Sequence, residues 1–349
     1  MKTGPGYDGE MLRYPALPHA ASRDEWEQIG RPRLQSDLQE LVYGRLPPVS
    51  PLTEIESRPL TQRVTWRVFA TPVGKSVRVL HFRPAGPPKA TFVGISFHGL
   101  HTIVGLDSIP IDEGWAYANA PQTRGSEAVR WPGGDLLAQG YGLAVFCHAD
   151  IVPDDPVIAP SFLKELSAGG EQGAIGAWGW GLASVAATLQ SEGPTVLVGH
   201  SRMGKAALVG GGIAQAGSAV VAIQSGCGGA APSRTEVGET LADITRVFTH
   251  WFSPRLAEFA GREDDLPLDQ HGLLALCAPM PVFLPNAMDD AWANPEGQRL
   301  MAELAQPAYR LYGQTEGVEY AIRMGGHEVT SEDWRTILDF AERRVESRG

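Results

Sequence analysis

The chain has 349 residues, 43% of them hydrophobic, enough to bury a sizeable core in one large α/β domain or two smaller ones. With 29 Lys and Arg against 40 Asp and Glu the net charge is -11, which argues against nucleic acid or an anionic membrane surface as partner and favours a neutral or esterified substrate. Three cysteines, Cys147, Cys227 and Cys277, permit at most one disulfide and lack metal-site spacing, so neither a disulfide framework nor a metal or organic cofactor is expected.

Residues 1–21 are rich in Gly, Pro and Ala without periodicity and read as a poorly ordered lead-in; residues 22–349 read as a single α/β domain. The lead-in holds no apolar run of signal-peptide length, and no later run approaches the ~20 residues of a membrane span. As written, the chain is expected to be soluble and to carry no export signal. From Ser22 a helix is predicted, with Ser22 as N-cap and Glu25 completing a capping box. A break is expected near Gly30 and Pro32, after which Leu34, Leu38, Leu41 and Val42 share one face. Residues 62–84 alternate apolar and polar around Pro72-Val73-Gly74 and predict an antiparallel hairpin.

Ala90–Phe97 and Leu143–His148 are nearly continuous apolar runs and predict buried parallel strands. Ala174–Leu189 predicts a helix with small residues for close packing. Further strands are expected at Thr195–Val198, Ala219–Gln224, Met280–Leu284 and Val318–Arg323. Strands alternating with helices imply a mostly parallel, doubly wound sheet with helices on both faces. Neither Gly169-Gly170 nor Gly210-Gly211-Gly212 matches a phosphate-binding spacing.

The chemistry centres on Val196–Leu208, VLVGHSRMGKAAL. A serine on a tight strand-to-helix turn presents its hydroxyl above the sheet edge, beside the N–H groups of a helix N-terminus. This is the nucleophile elbow of α/β-hydrolases with one departure: the second glycine falls one place late, as Gly199-His200-Ser201-Arg202-Met203-Gly204. Serine needs a base to take its proton, and in this topology the acid and then the histidine follow it in the chain. His327, in Met324-Gly325-Gly326-His327-Glu328 after the last strand, is assigned as that base, because His250 and His271 precede a strand. His98, in the His98-Gly99-Leu100-His101 loop after the Ala90–Phe97 strand, stands either beside the oxyanion and substrate or as a structural residue at the rim. Cys227 reads as a small buried residue and Asp269-Gln270-His271 as a structural turn.

The run G-x-S-R-x-G-K closely resembles the nucleophile motif of the glucuronoyl esterases, carbohydrate esterase family 15. Ser225-Gly226-Cys227-Gly228-Gly229-Ala230-Ala231, Gly238-Glu239-Thr240, His250-Trp251-Phe252, Leu266-Pro267-Leu268-Asp269-Gln270-His271 and Asp290-Ala291-Trp292 resemble the bacterial branch, in order, across about residues 30 to 345. The resemblance implies an oxyanion role for Arg202, which otherwise reads as a surface cation. It implies sugar-hydroxyl contacts for Lys205 and Glu239, and stacking of Trp292 on a pyranose ring, although Trp292 also fits a core residue. Many members carry a glutamate immediately before the Ser-Gly-x-Gly-Gly motif, where this chain has Gln224. The acid is therefore assigned to Asp290 in the D-x-W arrangement, with Asp289 next.

The expected activity is serine-dependent hydrolysis of alkyl or aryl esters of glucuronic or 4-O-methylglucuronic acid, such as those joining lignin alcohols to glucuronoxylan, by a monomer. An acetyl esterase of the same fold and a catalytically silent carbohydrate-binding relative are the alternatives. Family members are commonly secreted, so location is left unassigned.

Overall fold

The structure, a computed structural model, describes residues 14–111, 123–166 and 171–346. Apolar runs that read as buried strands in the sequence form the middle of one nine-stranded sheet. Its strands are β1 (Thr53–Pro59), β2 (Val64–Ala70), β3 (Ser76–Phe82), β4 (Thr91–Ser96), β5 (Gly142–Cys147), β6 (Thr195–His200), β7 (Ala219–Ile223), β8 (Val282–Ala287) and β9 (Val318–Arg323). They lie in the order β1-β2-β3-β5-β4-β6-β7-β8-β9; the β1–β2, β2–β3 and β3–β5 pairings are antiparallel, and every pairing from β5–β4 to β8–β9 is parallel.

The helices are α1 (a continuous helical segment comprising Arg23–Glu25, Trp26–Gly30, Arg31–Leu38 and Gln39–Tyr43), α2 (Gly133–Ala138), α3 (Ala159–Leu166), α4 (Ala174–Leu189) and α5 (Arg202–Gly212). They continue as α6 (Leu241–Val247), α7 (Pro254–Ala257), α8 (His271–Leu276), α9 (Pro295–Arg310) and α10 (Ser331–Arg344). Successive strand residues point to opposite faces, and each face buries its own core. One face packs Val93, Leu197, Val220 and Leu284 against α1, α4, α5, α8 and α9. The other packs Phe92, Val196, Val221 and Phe283 against Leu136 of α2 and Trp334, Ile337 and Phe340 of α10. In α4, a Cβ on Gly179 would come within 2.6 Å of Val209 in α5, so the small residue sets how close those two helices lie.

Four sequence expectations change. The break expected near Gly30 and Pro32 is absent: the chain passes through π-helical turns at Trp26–Gly30 and Gln39–Tyr43, and Pro32 sits in the first turn of the next α-helical stretch, where its missing N–H costs nothing. The Ser22 cap is present, Glu25 N donating to Ser22 Oγ at 3.2 Å, but the Glu25 carboxylate returns to the Ala21 N–H instead of to Ser22. The hairpin acquires a third strand, β1, whose seven residues are all exposed and so carry no apolar alternation to announce it. The strand expected at Met280–Leu284 runs instead over Val282–Ala287. Of the lead-in, residues 1–13 lie outside the described residues; Tyr14, Leu17 and Ala20 pack against the core without regular structure.

Candidate active site

Strand β6 ends at His200 and α5 begins at Arg202, which leaves Ser201 alone to make the turn, at φ 57° and ψ -127°. A side chain in this conformation is strained and persists only where the surroundings hold it. Here Ser201 N donates to the Ile223 carbonyl at 2.9 Å, and its own carbonyl accepts from Gly204 N at 2.8 Å. The turn is tight enough that a Cβ on Gly199 would come within 2.0 Å of the Met203 carbonyl oxygen, so only glycine fits there.

Ser201 Oγ lies 2.9 Å from His327 Nε2, and His327 Nδ1 lies 2.6 Å from Asp290 Oδ2. With the aspartate ionised, the ring donates from Nδ1 and accepts the serine proton at Nε2. His327 stands on the loop after β9 with its side chain 46% exposed, whereas the Asp290 carboxylate on the loop after β8 is buried. Asp289 does not share this role: its carboxylate accepts from Gly325 N at 3.2 Å and so fastens the histidine loop, not the ring. Gln224, at the end of β7, donates from Nε2 to Asp290 Oδ2 at 2.9 Å and to the Gly326 carbonyl at 2.8 Å. The buried His200 ring lies against His327, centroids 4.6 Å apart, and burial drives its pKa well below the ordinary histidine value.

Ser201 and His327 open onto a cavity of about 210 Å³, whose walls include Arg202, Lys205, Glu239, Trp251 and Trp292. Arg202 is not a loose surface cation: its Nε lies 2.9 Å from the buried Asp154 carboxylate, and its guanidinium stacks over Phe97 and Trp251. Lys205 is buried one helical turn beyond Ser201 and donates to the Ser225 carbonyl at 2.5 Å. Burial lowers the Lys205 pKa and raises that of Glu239, each partly offset by the other's charge. Together they supply a donor and an acceptor to the cavity.

Trp292 corrects one alternative: it is 57% exposed and forms part of the cavity wall, so it is not a core residue. Its indole hydrogen-bonds the Glu239 side chain, and Glu239 N donates to the Trp292 carbonyl at 2.9 Å. His98 is absent from the cavity wall; its Nε2 faces Glu127 at 3.9 Å, and burial lowers its pKa. Cys227 is buried, its thiol pushed up to about 12, and Asp269 accepts from Ser233 N and Arg234 as part of a turn. Among the described residues no group of three His, Cys, Asp or Glu gathers to hold a metal ion.

Asp154 is the residue that sequence reasoning missed. It also accepts from Trp251 Nε1 at 2.7 Å and meets His250 Nε2 at 2.8 Å. It follows β5 just as Asp150 does, but Asp150 turns back to Arg78 N and Nε. Nothing in the spacing distinguishes the two.

The order of the strands, the elbow at Ser201 and the serine–histidine–aspartate array define an α/β-hydrolase. The profile of the family described as "Glucuronyl esterase, fungi" matches residues 162–313. The carbohydrate esterase MZ0003, from an unknown prokaryotic organism, is 35% identical over 292 residues, covering 73% of this chain and 67% of that protein. The 4-O-methyl-glucuronoyl methylesterase of Neurospora crassa is 27% identical over 171 residues, covering 44% of this chain and 43% of that protein. A solved glucuronoyl esterase from Solibacter usitatus superposes with a TM-score of 0.84 at 29% identity, covering 95% of this chain and 98% of that one. The chain belongs to carbohydrate esterase family 15, the glucuronoyl esterases.

Proposed function

We propose that this protein is a serine esterase that hydrolyses alkyl or aryl esters of glucuronic or 4-O-methylglucuronic acid. The observation that carries the reading is the Ser201–His327–Asp290 array opening onto one cavity with Lys205, Glu239 and Trp292. Ser201 Oγ attacks the ester carbonyl carbon while its proton passes to His327 Nε2. Asp290 holds the ring in the tautomer that can accept and stabilises the imidazolium. Negative charge develops on the former carbonyl oxygen, where the first N–H groups of α5 and the Arg202 cation lower its energy. As the C–O bond to the alcohol breaks, His327 returns the proton to the leaving oxygen. Water then attacks the acyl-serine by the same relay and frees the acid.

Lys205 and Glu239 bind sugar hydroxyls and Trp292 covers the ring, so the acid released is one carried on a pyranose, as a uronic acid is. The family profile and the Neurospora crassa and Solibacter usitatus relatives support that substrate class. The proposed enzyme is a monomer, and the acyl-serine route written above calls on no cofactor.

The test is a side-by-side rate assay on benzyl glucuronate, methyl glucuronate and p-nitrophenyl acetate with wild type and Ser201→Ala. Glucuronate hydrolysis that exceeds acetate hydrolysis and vanishes in the variant is the expected result. Serine-dependent turnover of acetate alone would leave a general esterase, and binding of sugar without turnover of any ester would leave a silent carbohydrate-binding protein.

A further inference from the structure

We infer that Gln224 is a positioning residue of the reaction: its side-chain amide ties the Asp290 and His327 loops together and holds the Asp290 carboxylate on the imidazole. A glutamate at this place would therefore work against the array instead of supplying a second acid. The inference rests on the catalytic reading above.

Gln224 is buried and sits just past β7 in the left-handed region, at φ 47°, its backbone N donating to the Pro285 carbonyl at 3.0 Å. Its Nε2 carries two hydrogens, and both are used. One goes to Asp290 Oδ2, the oxygen that also meets His327 Nδ1, and the other to the carbonyl of Gly326, the residue before His327. Neither partner can donate, so the amide has one workable orientation: exchanging its nitrogen and oxygen would set three oxygens against one another. One planar group thus spans the loops after β8 and β9, whose separation fixes the distance from Asp290 to His327.

A glutamate of the same length would bring a second carboxylate to about 2.9 Å from Asp290 Oδ2. Two carboxylates so close ionise together only when a cation offsets them; with the ring neutral they share a proton, and the second negative charge forms along with the imidazolium, which raises the proton affinity of the ring. The Gln224 Oε1 is buried without a hydrogen-bond partner among the described residues, so a glutamate oxygen there would find no donor. A proton held between Gln224→Glu and Asp290 leaves the pair no better an acceptor for the ring, and a second ionised carboxylate overcharges it. The other groups facing His327 are His200 at the end of β6, Glu239 and Lys205 across the cavity, Arg202 beside Ser201, and Arg323, Glu328 and Asp289 on or against its own loop. A substitution at Gln224 leaves the chemical identity of each of these groups unchanged.

The experiment compares wild type, Gln224→Glu and Gln224→Met in the full chain, with Ser201→Ala as control. Steady-state rates on the best ester substrate are measured across the histidine titration range, together with the His327 ring titration followed by NMR. For Gln224→Glu we expect kcat to fall about tenfold with KM within about twofold, and the acid limb and the NMR pKa of His327 to rise by about one unit. Gln224→Met, which removes the donor without adding charge, should lower kcat to a similar extent with a smaller rise of the same pKa. Wild-type or faster turnover by Gln224→Glu, or an unmoved His327 titration in either folded variant, would overturn the inference. The NMR titration needs no substrate and reads the inference even if glucuronates prove not to be hydrolysed. Failure of the substrate reading would show in the wild type, and failure of the serine mechanism in Ser201→Ala.

Discussion

Asp154 grips Arg202 from below, Oδ2 to Nε at 2.9 Å, and so fixes the cation immediately beside Ser201. Its other oxygen meets His250 and Trp251, whose indole also lines the cavity, so one buried carboxylate organises an entire wall of the site. The charge of Arg202 can stabilise an oxyanion only if it does not swing into solvent, and Asp154 with the rings of Phe97 and Trp251 prevents that.

Asp154→Asn should therefore lower kcat by about 10- to 100-fold with a smaller change in KM. Asp154→Ala should add a loss of about 1–3 kcal/mol in stability, because the His250 and Trp251 N–H groups lose their acceptor. Steady-state kinetics and denaturant unfolding on the two variants separate the effects; full activity in Asp154→Asn would remove Arg202 from the oxyanion site.

Asp290→Asn should cost about 10⁴-fold in kcat while leaving the fold intact, since an amide there no longer stabilises the imidazolium or holds the reactive tautomer. Asp289→Asn should cost less than about tenfold, because that carboxylate accepts from the Gly325 N–H and the ring is held by Asp290. Turnover within a few-fold of wild type in Asp290→Asn would displace Asp290 as the acid.

Trp292→Ala and Lys205→Met should raise KM for glucuronate esters by about tenfold while leaving p-nitrophenyl acetate hydrolysis within about twofold, because acetate has no ring or hydroxyls to meet them. Being 57% exposed, Trp292 can be removed with little loss of stability. Paired kcat/KM measurements on the two substrates give the answer, and equal losses on both would point to a general effect on the site.

Stability should fall as the solution is acidified from neutral pH. Burial holds His81 down to about 3 and His148 down to about 4, and pushes His200 well below its ordinary value of 6.5. These rings stay neutral in the fold but take up protons once unfolded, so below about pH 6.5 the unfolded state binds more protons and is favoured. The loss is of order 1 kcal/mol per pH unit for each ring and continues to about pH 3 for His81. Thermal midpoints between pH 7.5 and pH 4 test this; His81→Phe should flatten the acid side.

Much of the fold was legible in the sequence for a simple reason. The central strands are buried on both faces, so Ala90–Phe97, Thr195–Val198 and Ala219–Gln224 had to be continuous apolar runs, and such runs alternate with helices in one order only. The same holds for the elbow: only glycine fits at Gly199, so the glycine spacing that permits the turn is written beside Ser201. β1 was not legible, because an exposed edge strand is held by backbone hydrogen bonds and no side-chain pattern marks it. The uninterrupted α1 escaped the same reading, since proline in a first turn and proline at a break look alike in sequence.

The sequence by itself determined the kinds of chemical group available and their order along the chain: serine, then aspartate, then histidine. What it did not carry is distance between residues far apart in the chain. Asp290 and Asp289 are neighbours with identical side chains, and only the path of the β8 loop aims one at His327 and the other at Gly325. Asp154 and Asp150 follow the same strand, yet one holds Arg202 and the other Arg78. Gln224 looks like a lost acid when read in line and is a double donor in space. Hydrogen bonds act over about 3 Å, so which of several equivalent residues does the work is decided only when the sheet brings the loops after β5, β6, β7, β8 and β9 to one edge.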